Sequence, residues 1–293
     1  MEAASREMAR THCLNKALVV DLEFWHSPEF VRGHVLQQNN DQFPESVVPL
    51  LDLLDKHRTK ATFAVLGVVA ERYPNLVKSI FDRGHEIASH SYSHRTLYEL
   101  TKDEFEQELL KSVDLLLSIT GEKPVGFRAP SFSLNNSTKW ALGILEKHGF
   151  RYDASIFPVR TSLYGVPGAP LHPYRPSAED ITQESKLPGI VEFPMTVFKL
   201  GVNIPVAGGF YLRVLPSRFI VFALGQAARS RPVIVYIHPW ETYDSTPRLS
   251  GMSRFHRFVT YHGINGALKK LEQLLVEFRF RPIREVLTEE GFI

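Results

Sequence analysis

The chain has a single cysteine, Cys13, in 293 residues. One thiol excludes an internal disulfide framework and a cysteine-built zinc ribbon, and it is compatible with a reducing compartment. Long apolar runs are also missing, so nowhere do the ~18 consecutive apolar residues of a membrane span occur. The first 16 residues carry Glu2, Arg6, Glu7, Arg10, His12 and Lys16 without the apolar stretch of a signal peptide. These absences lead to the expectation of a cytoplasmic protein with no transmembrane segment. An excess of one charge sign is absent too: Lys and Arg total 34 against 32 Asp and Glu, a formal charge of +2. The clustered basic face of a nucleic-acid binder is therefore not expected. No Gly-rich dinucleotide turn follows the first apolar run, and no internal repeat or low-complexity segment stands out. What remains is a globular composition, 44% hydrophobic and 11% aromatic, able to bury a large core.

Short apolar runs alternate with longer segments of helical period. The runs are 17–20, 61–66, 86–89, 125–127, 150–152, 191–195 and 233–237. Between and after them, 45–57, 69–83, 102–120, 138–148, 216–229 and 264–279 repeat apolar residues at helical spacing. This strand–helix alternation predicts a parallel sheet with helices outside. About seven such units suit a distorted barrel. The Pro- and Gly-rich stretch 157–189 is too long for an ordinary connection, so it reads as a functional loop or one containing a hairpin. The domain expectation is an N-terminal extension, 1–16, followed by one domain, 17–293, with a helical C-terminal extension from about 245.

Chemically useful residues fall just past the C-terminal ends of these strands. They are Asp21 and Glu23, His90 and His94, Arg128, Asp153, and His238. In α/β barrels that end gathers catalytic groups, because loops from several strands converge there. His90 and His94, four residues apart, converge on one helix face or in a tight loop, and with a carboxylate they make a metal site with open positions. Alone, such a pair is as readily two ordinary core histidines. Asp21 and Glu23 point to the same side of an extended chain, so one can bind metal while the other takes a proton; a solvated loop is the plain alternative. Pro239 places His238 at a strand rim, where a neutral imidazole is a natural proton donor. Arg128 sits at the same rim, suited either to a structural ion pair or to orienting a carboxylate such as Asp21.

Together and in order, these segments resemble the motifs of the polysaccharide deacetylases, carbohydrate esterase family 4. Val20-Asp21-Leu22-Glu23 is similar to the first motif. His90-Ser91-Tyr92-Ser93-His94 matches the second, Phe127-Arg128-Ala129-Pro130-Ser131 the third, and Ile237-His238 the last; Tyr152-Asp153-Ala154-Ser155 resembles a segment that follows the third. Gly208-Gly209-Phe210-Tyr211 and the 236–241 segment further resemble the subgroup found with exopolysaccharide and exosortase loci. The resemblance implies an α/β fold, a distorted (β/α)7-type barrel, with one divalent metal, Zn2+ by preference. It implies Asp21 as general base, His238 as general acid, Arg128 bracing Asp21, and Glu23, His90 and His94 as ligands. Glu23 stands where the family usually has Asp. Asp153, Glu192 and Glu241 are candidates to orient His238.

The implied activity is metal-dependent removal of an N-acetyl group from an amino sugar in a polysaccharide, an oligosaccharide or its precursor, a nucleotide- or lipid-linked precursor being the one a cytoplasmic protein could reach. Trp25, Ser131, Phe132, Asp153, Tyr211 and Trp240 are candidate substrate contacts, with a backbone N–H near Ser131 or Phe132 facing the oxyanion. Two other readings stay open. One is a different C–N hydrolase on the same scaffold, such as a deformylase or cyclic-amide hydrolase. The other is a catalytically silent saccharide-binding protein, for which Glu23 is the support.

Overall fold

The computed structural model describes residues 15–34, 42–161 and 163–293. Residues 1–14 of the expected N-terminal extension, Cys13 among them, lie outside the described residues. The first strand, β1 (Lys16–Leu22), already includes Lys16.

Seven strands form one parallel ladder. In spatial order these are β9 (Val233–Ile237), β1, β2 (Thr62–Val65), β3 (Glu86–Ser89), β4 (Gly126–Phe127), β5 (Tyr152–Asp153) and β6 (Val191–Glu192). This is a curled (β/α)7-type sheet, in agreement with the expected fold class. Its edges, β6 and β9, are not paired as strands. Instead Ile234 N–H donates to Thr196 Oγ1 at 2.7 Å, and Arg231 Nη2 donates to the Val197 carbonyl at 2.6 Å. Side chains thus bridge the seam that a regular barrel closes with backbone.

β1 is buried at every position, as expected of a parallel strand covered on both faces. Its alternate residues separate cleanly. Leu18, Val20 and Leu22 join Val47, Leu50 and Leu54 of the helix Phe43–Lys56 in the outer core. Ala17 and Val19 face inward with Ala64, Tyr152, Ile234 and Tyr236. Asp21 and Glu23 continue the inward parity, so the strand aims both carboxylates into the barrel mouth.

Several expected boundaries shift for identifiable reasons. The predicted helix 69–83 is two helices, Gly67–Arg72 and Pro74–Asp82, because Pro74 has no N–H with which to continue the first. The stretch 157–189 holds no helix or strand among its described residues, only the bridges Tyr174↔Glu192 and Pro176↔Glu184. The hairpin comes just after it, as β7 (Val197–Leu200) and β8 (Val202–Pro205). The C-terminal region contains the helices Arg254–Tyr261, Ile264–Glu277 and Ile283–Glu289. It also contains a short strand, β10 (Phe280–Arg281), paired to the start of β1. No helix of the described residues is long and apolar enough to cross a membrane.

Candidate active site

The C-terminal ends of β1, β3, β4 and β9 open onto a cavity of about 350 Å³. Asp21, Glu23, His90, His94, Arg128 and His238 all line it, and Asp21, Glu23, His90, His94 and Arg128 are at most 3% exposed.

One donor atom each from Glu23, His90 and His94 lie within 4.8 Å of one another. Glu23 Oε2 is 2.5 Å from His94 Nε2 and 3.6 Å from His90 Nε2. His90 Nδ1 is 2.8 Å from the Arg128 carbonyl; donating there places the proton on Nδ1 and leaves Nε2 as a free donor atom toward Glu23. Burial alone would raise the Glu23 carboxyl, but the charges of His94 and His238 hold it well below the usual carboxylate range. His94 is lowered by burial yet raised overall by Glu23.

The loop carrying the histidines is tied down from below. Glu108, on the helix Lys102–Thr120, accepts from Ser91 Oγ (3.0 Å), Ser93 N–H (3.2 Å) and Ser93 Oγ (2.6 Å). Gly67 and Val68 N–H groups donate to the Ser91 and Tyr92 carbonyls, each at 3.0 Å. Ser91 and His94 adopt φ of 63°, and Ser131 and Phe132 φ of 51° and 52°. Left-handed backbone at such residues costs about 1–3 kcal/mol each and persists where the surroundings enforce it. Here it coincides with the second and third motifs.

Asp21 Oδ1 meets Arg128 Nε at 2.7 Å. The two atoms are out of line for a hydrogen bond, so the contact is an ion pair. Arg128 is held in turn by the rings of Phe132 and Tyr236, 4.7 and 4.6 Å from its guanidinium carbon. Its Nη1 donates to the Ala154 carbonyl at 2.5 Å. His238 Nε2 lies 3.6 Å from Asp21 Oδ2 and 3.5 Å from Glu23 Oε1.

Glu241 is the carboxylate that holds His238. Its Oε2 is 2.7 Å from His238 Nδ1, while its Oε1 accepts from Arg213 Nε and Nη2 at 3.1 and 3.0 Å. Burial lowers the His238 imidazole, but Glu23, Glu241 and Asp21 together push it up to about 9. Burial raises Glu241, and Arg213 and His238 outweigh it, leaving the carboxyl below its ordinary value. Gly209 makes this approach possible: a Cβ there would lie 1.6 Å from Glu241 Oε2.

Of the candidate substrate contacts, Ser131, Phe132, Tyr211 and Trp240 line the cavity. Trp25 and Asp153 do not. Trp25 packs behind Trp240 with Val31. Asp153 is fully buried, accepting from Ser155 Oγ at 2.6 Å and from Ser155 N–H at 3.2 Å; it neither contacts His238 nor reaches the cavity. Sequence reasoning missed Arg213, Glu29, Phe30 and Tyr164 on the wall. Arg213 had a signal: a lone cation in the apolar helix Gly209–Val214 needs a buried partner. Glu29 accepts from Ser131 Oγ at 2.9 Å, and no local pattern announced it.

Comparison with known proteins agrees with this geometry. Residues 32–152 match the model of the polysaccharide deacetylase family, and residues 154–288 match a domain of unknown function, DUF3473. A Bacillus cereus peptidoglycan-N-acetylglucosamine deacetylase is 41% identical over 93 residues, which is 31% of this chain and 34% of that protein. The chain thus spans about a third of that curated relative's length. Among solved structures, a putative polysaccharide deacetylase from Mycobacterium smegmatis superposes with a TM-score of 0.59 at 20% identity, over 94% of this chain and 90% of that one. Puue allantoinase superposes with a TM-score of 0.60 at 15% identity, over 94% and 89%, so the barrel itself is shared by proteins of different name. The histidine loop and Arg128 fall inside the segment 32–152 that matches the polysaccharide deacetylase family, and β1 and His238 complete the same cavity from outside it.

Proposed function

We propose that the protein is a metal-dependent amidohydrolase that removes the N-acetyl group of an amino sugar in a saccharide, releasing acetate and a free amine. The observation that carries this reading is the meeting of two braced groups beside one donor cluster. Asp21, braced by Arg128, and His238, braced by Glu241, come within 3.6 Å of each other next to the Glu23–His90–His94 cluster.

The cluster suits a divalent cation. Two imidazoles and a carboxylate are a known donor set for an open catalytic site, and His90 Nδ1 is already satisfied by the Arg128 carbonyl. Glu23, His90 and His94 would hold the ion, Zn2+ being the best match to this set. When bound, it supplies Lewis-acid polarisation and makes water a better nucleophile near neutral pH. Glu23 in place of the usual Asp does not empty the site, since its carboxylate reaches both imidazoles.

The chain's own residues supply the proton traffic. Asp21 accepts the proton of the attacking water, and its ion pair with Arg128 keeps one oxygen aimed into the cavity. His238 Nε2 delivers a proton to the departing nitrogen, without which an amine anion would be a poor leaving group. Glu241 fixes the proton on Nδ1 and the orientation of the ring, as a carboxylate hydrogen-bonded behind an imidazole does. Tyr211 and Trp240 offer aromatic faces for a sugar ring.

The test is acetate release from chitooligosaccharides by metal-reconstituted protein, with metal content measured in parallel. The reading predicts turnover that is lost on chelation and restored by Zn2+. Metal-loaded protein that releases no acetate from any N-acetylated saccharide refutes it.

A further inference from the structure

The wall of the cavity contributed by the helix Arg254–Tyr261 has a second face. Phe255 and Val259, one helical turn apart, line the catalytic cavity. On an adjoining face of the same helix, Arg254, Arg257, Phe258 and Tyr261 line an open depression of about 560 Å³, together with Arg248 and His262. Three guanidiniums therefore converge on a hollow whose lining includes no Asp or Glu. None of the three makes an ion pair with a carboxylate of the described residues. Arg248 stacks on the Tyr261 ring at 5.6 Å, which fixes one guanidinium over the floor.

The helix shared by the two hollows is anchored rather than loose. Arg213 donates to the carbonyls of Val259 (2.7 Å) and His262 (2.5 Å) while it holds Glu241. Donation to the last carbonyls of a helix is favourable in itself. Gly263, with φ of 74°, lets the chain turn against Arg213; a Cβ there would lie 2.8 Å from the Arg213 carbonyl oxygen. The arginine-bearing helix and the general-acid pair are thus parts of one hydrogen-bonded unit.

We propose that this depression is an anion subsite for a phosphate or diphosphate group carried by the substrate, so that the preferred substrate is a phosphate-linked N-acyl amino sugar rather than a neutral polymer. Three guanidiniums with no carboxylate partner among the described residues match the charge of a diphosphate better than that of a single carboxylate, and planar forks suit phosphate oxygens. Phe255 and Phe258, 53% and 44% exposed, flank the arginines and suit an apolar group attached to the phosphate. The inference rests on the deacetylase reading above.

The experiment compares kcat/KM for three N-acetylglucosamine substrates on metal-loaded protein: a nucleoside-diphosphate conjugate, a polyprenyl-diphosphate conjugate and neutral chitotriose. Wild type is compared with the triple variant Arg248→Ala, Arg254→Ala, Arg257→Ala, whose fold is checked by circular dichroism. The expected result is a preference for diphosphate substrates over chitotriose that falls about tenfold or more in the variant. Whichever conjugate is preferred identifies the group beyond the phosphate. Calorimetric titration with inorganic pyrophosphate should show binding to wild type and none to the variant. Equal preference in both proteins, with pyrophosphate bound equally or by neither, overturns the subsite. Failure of every substrate while pyrophosphate still distinguishes the two proteins sinks the deacetylase reading and leaves the anion site standing.

Discussion

Two pairs of buried carboxylates stand at the ends of strands in the same sheet, and their neighbours make them opposites. Asp21 and Glu23 leave β1 among Arg128, His90, His94 and His238. Asp153 and Glu192 pair directly across β5 and β6. They have Ser155 and the Ile156 N–H as hydrogen-bond donors, and no cation in an ion pair among the described residues. Burial raises both of these; Asp153 lifts Glu192 further, well above the ordinary carboxylate range, whereas Glu192 offsets part of the rise at Asp153. The first pair is charged chemistry facing a cavity. The second is a buried acid pair beside Ala154, whose carbonyl accepts from Arg128 Nη1. Carboxylates at a strand end are therefore not equivalent. The cations that other strands bring to them decide what they do.

The contrast is broken most severely at the charged pair. His90→Ala or His94→Ala should abolish stoichiometric binding of divalent metal and reduce acetate release to background, read by elemental analysis beside the activity assay. Asp21→Asn should keep the metal and lower kcat by about 10²–10⁴-fold, the usual range for a lost general base. Retention of near-wild-type turnover there would remove Asp21 from its role.

Next in size is the brace on His238. Arg213→Met leaves the buried Glu241 carboxylate without its cation, which should cost about 3–5 kcal/mol of stability in denaturant titration. Glu241→Gln is milder for the fold and should lower kcat by about 10–100-fold with KM little changed, as for other supporting carboxylates.

The pH dependence of stability sharpens the comparison further. His85 is pushed down to about 4, chiefly by burial and then by Lys60, and its Nδ1 accepts the Ala61 N–H at 3.2 Å. Its folded-state value is depressed, so the unfolded chain binds the extra proton between about 6.5 and 4. Stability is then full above pH 6.5 and falls as pH drops toward 4, by about 3 kcal/mol for this group. His85→Asn should flatten that limb of the curve.

The smallest effect belongs to the second carboxylate pair. Its raised values make stability greatest in mild acid and lost as pH rises through the Glu192 titration. Asp153→Asn removes the like charge that lifts Glu192, so unfolding midpoints should decline less than in wild type as pH rises above the ordinary carboxylate range. Deacetylation should change little, since Asp153 does not reach the cavity.

Much of this was legible from the chain alone. The runs 86–89 and 233–237 and the helix 102–120 coincide with Glu86–Ser89, Val233–Ile237 and Lys102–Thr120, because each is bounded by strong local signals. Lys102–Thr120, for instance, opens on a Thr101–Glu104 capping box and stops at Gly121 in the left-handed region. β10 and the hairpin of β7 and β8 were not legible. β10 is two residues long and exists through its pairing with β1, 264 residues earlier by the Lys16↔Phe280 register, a partner no local window contains.

Residue type, order and strand-end position were enough to assemble the motif residues Asp21, Glu23, His90, His94, Arg128 and His238 into one expected pocket, since inward parity along a strand is a local property. The choice of Glu241 over Asp153 and Glu192 as the partner of His238, the arrival of Arg213 to neutralise it, and the retreat of Trp25 and Asp153 behind the wall were settled only by folding. Those outcomes turn on which side chains from distant segments meet in a dry interior, where a charge survives only beside its counter-charge.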